Sequence, residues 1–222
     1  MWDLARSWVE GWAVSRKVAE PVEEPWGLSI EVGLPGQPVR HVLLDADAAT
    51  ARGLVGAVTR PATCVKGFLA PEVMAPWFPD GWEPLDPGFL MATDLRPGSV
   101  RAPDGYTVAT ETSGGVVSVR VLAAGGEPAA RGQIGLAGGS CVFDQIITEA
   151  AHQRRGLGTL VMGALTDAAV AGGAATGTLG ATVQGRALYE TLGWKVLAPL
   201  TGYTLGPAAA RRPAPYRATA RQ

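Results

Sequence analysis

The segment "IITEAAHQRRGLGTLVMGALTDAA", from Ile146 to Ala169, constrains the fold more than any other part of this chain. It opens on a β-branched run and closes on a run rich in Ala and Leu, with two arginines and a Gly-Leu-Gly between them. The flanks read as a strand and a helix, so Gln153 to Gly158 is the turn that joins them. A helix start carries unpaired backbone N–H groups at the positive end of the helix dipole, which makes it an anion site. Gly156 and Gly158 let that backbone approach a phosphate closely, and Arg154 and Arg155 add positive charge. The turn suits a pyrophosphate, although a Gly-x-Gly here also serves as a plain structural turn. It lacks the GxxxxGK of a P-loop, and Val161 stands where a GxGxxG fingerprint needs its last glycine, so a dinucleotide reading is poor.

A chain of 222 residues is long enough to bury a real core, and one body built from two unequal lobes is expected. The formal net charge of -1 asks for neither nucleic acid nor a membrane surface. The two cysteines, Cys64 and Cys141, have no metal-ligand or CxxC spacing and read as reduced core residues; no metal cluster is visible in the sequence. Asp3, Arg6 and Glu10 interrupt the N-terminal apolar residues before a secretory h-region forms, and Asp167 spoils the most apolar later stretch as a span. The expectation is a cytoplasmic protein.

Leu4, Trp8 and Trp12 fall at helical spacing in "MWDLARSWVEGWAVSRK", an amphipathic helix whose tryptophans pack on the body or wall a groove. An exposed tryptophan helix is also compatible with a homodimer. After the linker "AEPVEEP" come strands "WGLSIEVG" and "VRHVLLD", a helix begun by Asp45 or Asp47 and ended before Pro61, and strand "TCVKGFLA". The aromatic and proline-rich loop "PEVMAPWFPDGWEPLDPG" either walls a binding site or seals the core, and strand "FLMATDL" follows it. "RPGSVRAPDG" is the best boundary between lobes. The divisions are residues 1–100 as an N-terminal lobe, 101–206 as the motif-bearing domain, and 207–222 as a basic, disordered tail.

Two stretches together carry a family resemblance. Gln153-Arg154-Arg155-Gly156-Leu157-Gly158 resembles the Q/R-x-x-G-x-G/A motif of the GNAT superfamily of acyl-CoA-dependent N-acetyltransferases, placed as there between strand and helix. "GATVQGRALYETLGWKV", from Gly180 to Val196, is similar to that family's later strand and short helix. The resemblance covers about residues 106–205 and implies an α/β (α+β) GNAT fold: a mixed, mostly antiparallel sheet with a splayed parallel strand pair, flanked by helices. The N-terminal lobe would supply the acceptor wall or be a degenerate GNAT-like half.

The resemblance also implies acetyl-CoA as acyl donor and a small primary amine as acceptor, attacked directly. Backbone groups of Ile147, Thr148 and Glu149 would receive the pantetheine arm, and Gln153 to Thr159 the pyrophosphate, by way of Arg154, Arg155, Gly156, Leu157 and Gly158. Thr182 stands where many members have an asparagine, and keeps a hydrogen-bonding group there. Tyr189 falls on the usual general acid, while the same residue could equally pack its ring. For the general base Glu149 is nearest by position and Asp144 is its rival; alternation puts Asp144, Ile146 and Thr148 on one face, so only one of the two carboxylates faces the acceptor. His152 is expected beside phosphates or solvent, and His41 on a strand without a partner. The competing readings are a catalytically silent acyl-CoA-binding or regulatory protein and, on the basic tail alone, a nucleic-acid adaptor.

Overall fold

The tryptophan-bearing N-terminal run is helix α1 (Trp2–Arg16) in the computed structural model, which describes residues 1–98 and 100–207. Trp8 and Trp12 lie one turn apart on its buried face, 4% and 6% exposed, with Ala5 and Val9 beside them. Trp8 and Trp12 are consumed by the fold, while Trp2 stays 43% exposed.

The first lobe continues with β1 (Val22–Glu24), β2 (Gly27–Leu34), β3 (Gln37–Leu43), α2 (Ala48–Ala57), β4 (Cys64–Gly67), α3 (Pro71–Met74), β5 (Trp82–Pro84) and β6 (Gly88–Asp94). Then come β7 (Tyr106–Ser113), β8 (Val116–Ala123), β9 (Pro128–Ala137), β10 (Ser140–Thr148), α4 (Leu157–Ala171), β11 (Thr176–Thr182), α5 (Val183–Thr191) and β12 (Lys195–Leu205). The strands form, among the described residues, one 12-stranded sheet in the order β1-β2-β3-β4-β12-β6-β11-β10-β9-β8-β7, with β5 attached to β12. Among the described residues the pairings are antiparallel except β3 with β4 and β10 with β11. This is the expected mixed, mostly antiparallel α/β architecture. The sheet runs unbroken across residue 100, because β6 sits between β11 and β12. The order also repeats about the β12–β6 pair: β2-β3-α2-β4 on one side answers β9-β10-α4-β11 on the other.

Alternation along the strands gives the sheet two buried faces. Phe143, Ile134 and Leu179 meet Leu160, Val161 and Leu165 of α4 on one face. Val142, Leu90 and Leu200 meet Trp8, Val9 and Trp12 of α1 on the other. The α1 contact is backbone-close: a Cβ on Gly11 would fall 2.5 Å from Val142 Cγ2, and one on Gly135 would fall 2.6 Å from the Ser15 nitrogen.

Some local expectations change. The linker at residues 19–25 contributes β1, an edge strand on β2. The aromatic loop is not featureless: it holds α3, a 3-10 turn and β5, and it buries Met74 and Trp77 against Leu43, Val65 and Tyr203, so it seals the core. His41 does have partners, Ser29 Oγ at 3.0 Å and the Trp26 ring edge-on at 5.1 Å. The tail beyond Pro207 lies outside the described residues.

Candidate active site

β10 and β11 run side by side from Ser140 opposite Thr176 to Phe143 opposite Leu179, and pair no further. β11 goes on along β6 to Thr182 while β10 goes on along β9 to Thr148, so the strands part. From residue 144 onward the inner edge of β10 has no strand partner, and its peptide groups are open to a ligand. The cleft between them holds about 810 Å³. Ile147, Thr148, Gln153, Arg154, Gly156, Leu157, Gly158, Thr159, Thr182 and Tyr189 all line it. Asp144, the rival for the general base, lines it too, whereas Glu149, His152 and Arg155 do not.

A β-bulge sets which side chains face which way. The β9–β10 register slips by one residue between Asp144 and Ile147, with Gln145 at φ 54°. The simple alternation expected for this strand therefore fails. Asp144 faces α1, where its carboxylate accepts hydrogen bonds from Ser15 Oγ and Arg16 Nη2, both at 2.9 Å. Ile146 has crossed to the α4 face beside Val161 and Leu165, and Ile147, opposite Arg131, returns to the α1 face. Glu149 follows on that same face by alternation, so the two carboxylates are not on opposite sides. Glu149 is exposed beyond the cleft, with its backbone N–H on the Ala129 carbonyl at 2.9 Å.

The turn after β10 is built for an anion. Gly156 precedes α4 at φ 78°, a conformation that favours glycine, and no side chain caps the helix. The first amide to bond back is Leu160, on the Gly156 carbonyl at 3.0 Å. The N–H groups of Leu157, Gly158 and Thr159 therefore stay free at the cleft. Gly158 packs close, since a Cβ there would lie 3.0 Å from Leu188. Arg154 lines the cleft, whereas the Arg155 guanidinium donates to Tyr106 Oη at 3.0 Å, which in turn shares a 3.0 Å hydrogen bond with His152 Nδ1. Thus His152 is held by a tyrosine. The corresponding helix in the first lobe is closed: Asp47 caps α2 by accepting from the Thr50 N–H at 2.7 Å, and that hydrogen bond holds its carboxyl below the usual range. A carboxylate already occupies the place an anion would take.

Thr182 caps α5 by accepting from the Gly185 N–H at 3.0 Å, which fixes the start of the helix that carries Tyr189. Tyr189 is only 9% exposed and leans on Trp194 with centroids 6.3 Å apart. Burial, and then the nearby Asp144 charge, push its phenol up from 10.0 to about 12. Sequence reasoning missed Gln145, which lines both this cleft and a groove on the α1 face. Its positive φ breaks a strand pattern that shows no glycine to announce it.

No family model matches the chain, and no curated protein matches it in sequence. Solved structures do match. A GCN5-related N-acetyltransferase from Kribbella flavida is similar at 17% identity and a TM-score of 0.67, over 93% of this chain and 95% of its own. A protein of the GNAT family from Novosphingobium aromaticivorans is similar at 18% identity and a TM-score of 0.55, over 84% of this chain and 90% of its own. A tandem GNAT protein from the clavulanic acid biosynthesis pathway is similar at 14% identity and a TM-score of 0.53, over 72% of this chain and 69% of its own. The chain has the GNAT fold, that of the GCN5-related N-acetyltransferases. None of the described helices is long and apolar enough to cross a membrane.

Proposed function

We propose that this chain is an N-acetyltransferase that moves an acetyl group from acetyl-CoA to a small primary amine. The observation that carries the reading is the meeting, in one cleft, of parted parallel strands, an uncapped glycine-started helix and a tyrosine held in its protonated form. The residues fit the donor. Free N–H groups at Leu157 to Thr159 with the Arg154 guanidinium suit a pyrophosphate, and the open edge of β10 from Ile147 to Glu149 suits the amides of a pantetheine arm. Gln153 and the Arg155 backbone complete the turn, and Thr182 sets α5 against the arm. Only the second lobe binds the donor, because Asp47 closes the matching helix of the first, which reads as a degenerate half.

Acetyl-CoA supplies the thioester. The neutral amine forms a C–N bond to its acyl carbon, the C–S bond breaks with its electron pair on sulfur, and the Tyr189 phenol gives that sulfur its proton. Tyr189 recovers a proton from the new amide nitrogen through water, and the proton first lost by the ammonium goes to solvent. Glu149 reaches that path only through water. A second reading, a catalytically silent acyl-CoA-binding protein, draws on the engagement of Asp144 by Ser15 and Arg16.

Calorimetric titration with acetyl-CoA tests the proposal, on the wild type and on a variant carrying Gly156→Val and Gly158→Val, with circular dichroism to confirm folding. Binding by the wild type alone is the expected result, and amine-dependent release of free thiol then separates the enzyme from the silent protein. A wild type that does not bind acetyl-CoA would refute both.

A further inference from the structure

A groove of about 460 Å³ opens on the α1 face of the sheet and meets the cleft at Gln145, which lines both. Its floor is β8 and β9, its wall the end of α1. Arg16, Lys17, Arg120 and Arg131 line it, against the single acid Glu111. Glu111 pairs with Arg120 at 3.1 Å and Asp144 with Arg16, so among the described residues Lys17 and Arg131 have no acidic partner.

Arg120 and Arg131 face each other directly across β8 and β9. Like charges so placed weaken a sheet, and both residues are exposed, so packing does not require them there. Glu111 offsets Arg120 alone, so a bound anion would neutralise the remaining cation, Arg131. Arg131 is in turn the cross-strand neighbour of Ile147, which puts its backbone one strand spacing, about 5 Å, from the strand expected to hold the thioester.

We infer that this groove is the acceptor site, and that the acceptor is an amine bearing an anionic group, a carboxylate or a phosphate, held by Arg131 and Lys17. The inference rests on the transferase reading above. The same cations disfavour an ammonium beside them, so the amine reaches the thioester more often in its neutral, nucleophilic form. That offsets the lack, among the described residues, of an unengaged carboxylate in the cleft.

Matched acceptors test the inference in a thiol-release assay: glutamate against its diamide, phosphoethanolamine against ethanolamine, and spermidine as the cationic arm. The two pairs distinguish a carboxylate from a phosphate. At least one anionic member is expected to exceed its neutral partner in kcat/KM by about tenfold or more, with spermidine the poorest. Arg131→Glu should abolish that preference through KM, while its calorimetric affinity for acetyl-CoA matches the wild type and shows the fold intact. Binding of the preferred anionic amine to the CoA-saturated protein should weaken in parallel. A protein that binds acetyl-CoA yet prefers the neutral or cationic amines, acetylates neither anionic one, or keeps its preference in Arg131→Glu overturns the inference. A wild type that fails to bind acetyl-CoA, or binds it and releases thiol with none of the amines, would instead bring down the transferase reading itself.

Discussion

Tyr189 keeps its proton because its ring is buried against Trp194 and because Asp144 places a negative charge nearby. As the general acid, its change to Phe should lower kcat by about 100- to 10,000-fold with the acetyl-CoA affinity unchanged. Stability carries a second signature. The folded phenol titrates at about 12 and the ordinary one at 10.0, so its contribution is complete below pH 10 and is lost as the pH rises toward 12. The loss is about 3 kcal/mol, and an alkaline denaturation series should show it in the wild type and not in the Phe variant. Identical alkaline profiles would mean that the phenol is solvated. Tyr189 was legible only through the resemblance of "ALYETLGW" to the family's short helix, and the structure places it on the cleft. The partner of Arg155 was not legible: Tyr106 lies 49 residues away, and no local pattern records a contact across that distance.

At the scale of elements, the two helix starts show how one residue divides the work. Gly156 leaves the amides of α4 open while Asp47 closes those of α2, and both signals were present in the sequence as a Gly-x-Gly and an acidic cap. The bulge in β10 was not legible, because "CVFDQIITEA" keeps an unbroken strand composition and the extra residue exists only relative to β9. The short α3 and β5 escaped for a related reason, each being too short to repeat its period twice. α1 depends on a close approach to β9. Gly135→Ala should force the helix away from the sheet and cost about 1–3 kcal/mol, read as a lower urea midpoint without loss of cooperativity. An unshifted midpoint would show that α1 yields without cost.

For the whole molecule, residues 96–105 read in the sequence as a Pro- and Gly-rich boundary, and the sheet passes over it. A hydrophobic strand such as "FLMATD" declares that it is buried but not between which neighbours, and β6 lies between β11 and β12. Residues 101–206 alone should therefore show no cooperative thermal transition, whereas the folded protein cut between residues 96 and 105 should still elute as one particle. A stable isolated fragment would establish an independent domain. The position of β12 reaches further. It follows every other described strand in the sequence but pairs with β4 on one side and β6 on the other. Until it docks, a folding chain carries two bare strand edges facing each other across a gap. Such edges are templates for pairing with another chain, so the yield of refolded protein should be governed by a race between closure of that gap and aggregation, and should fall as concentration rises.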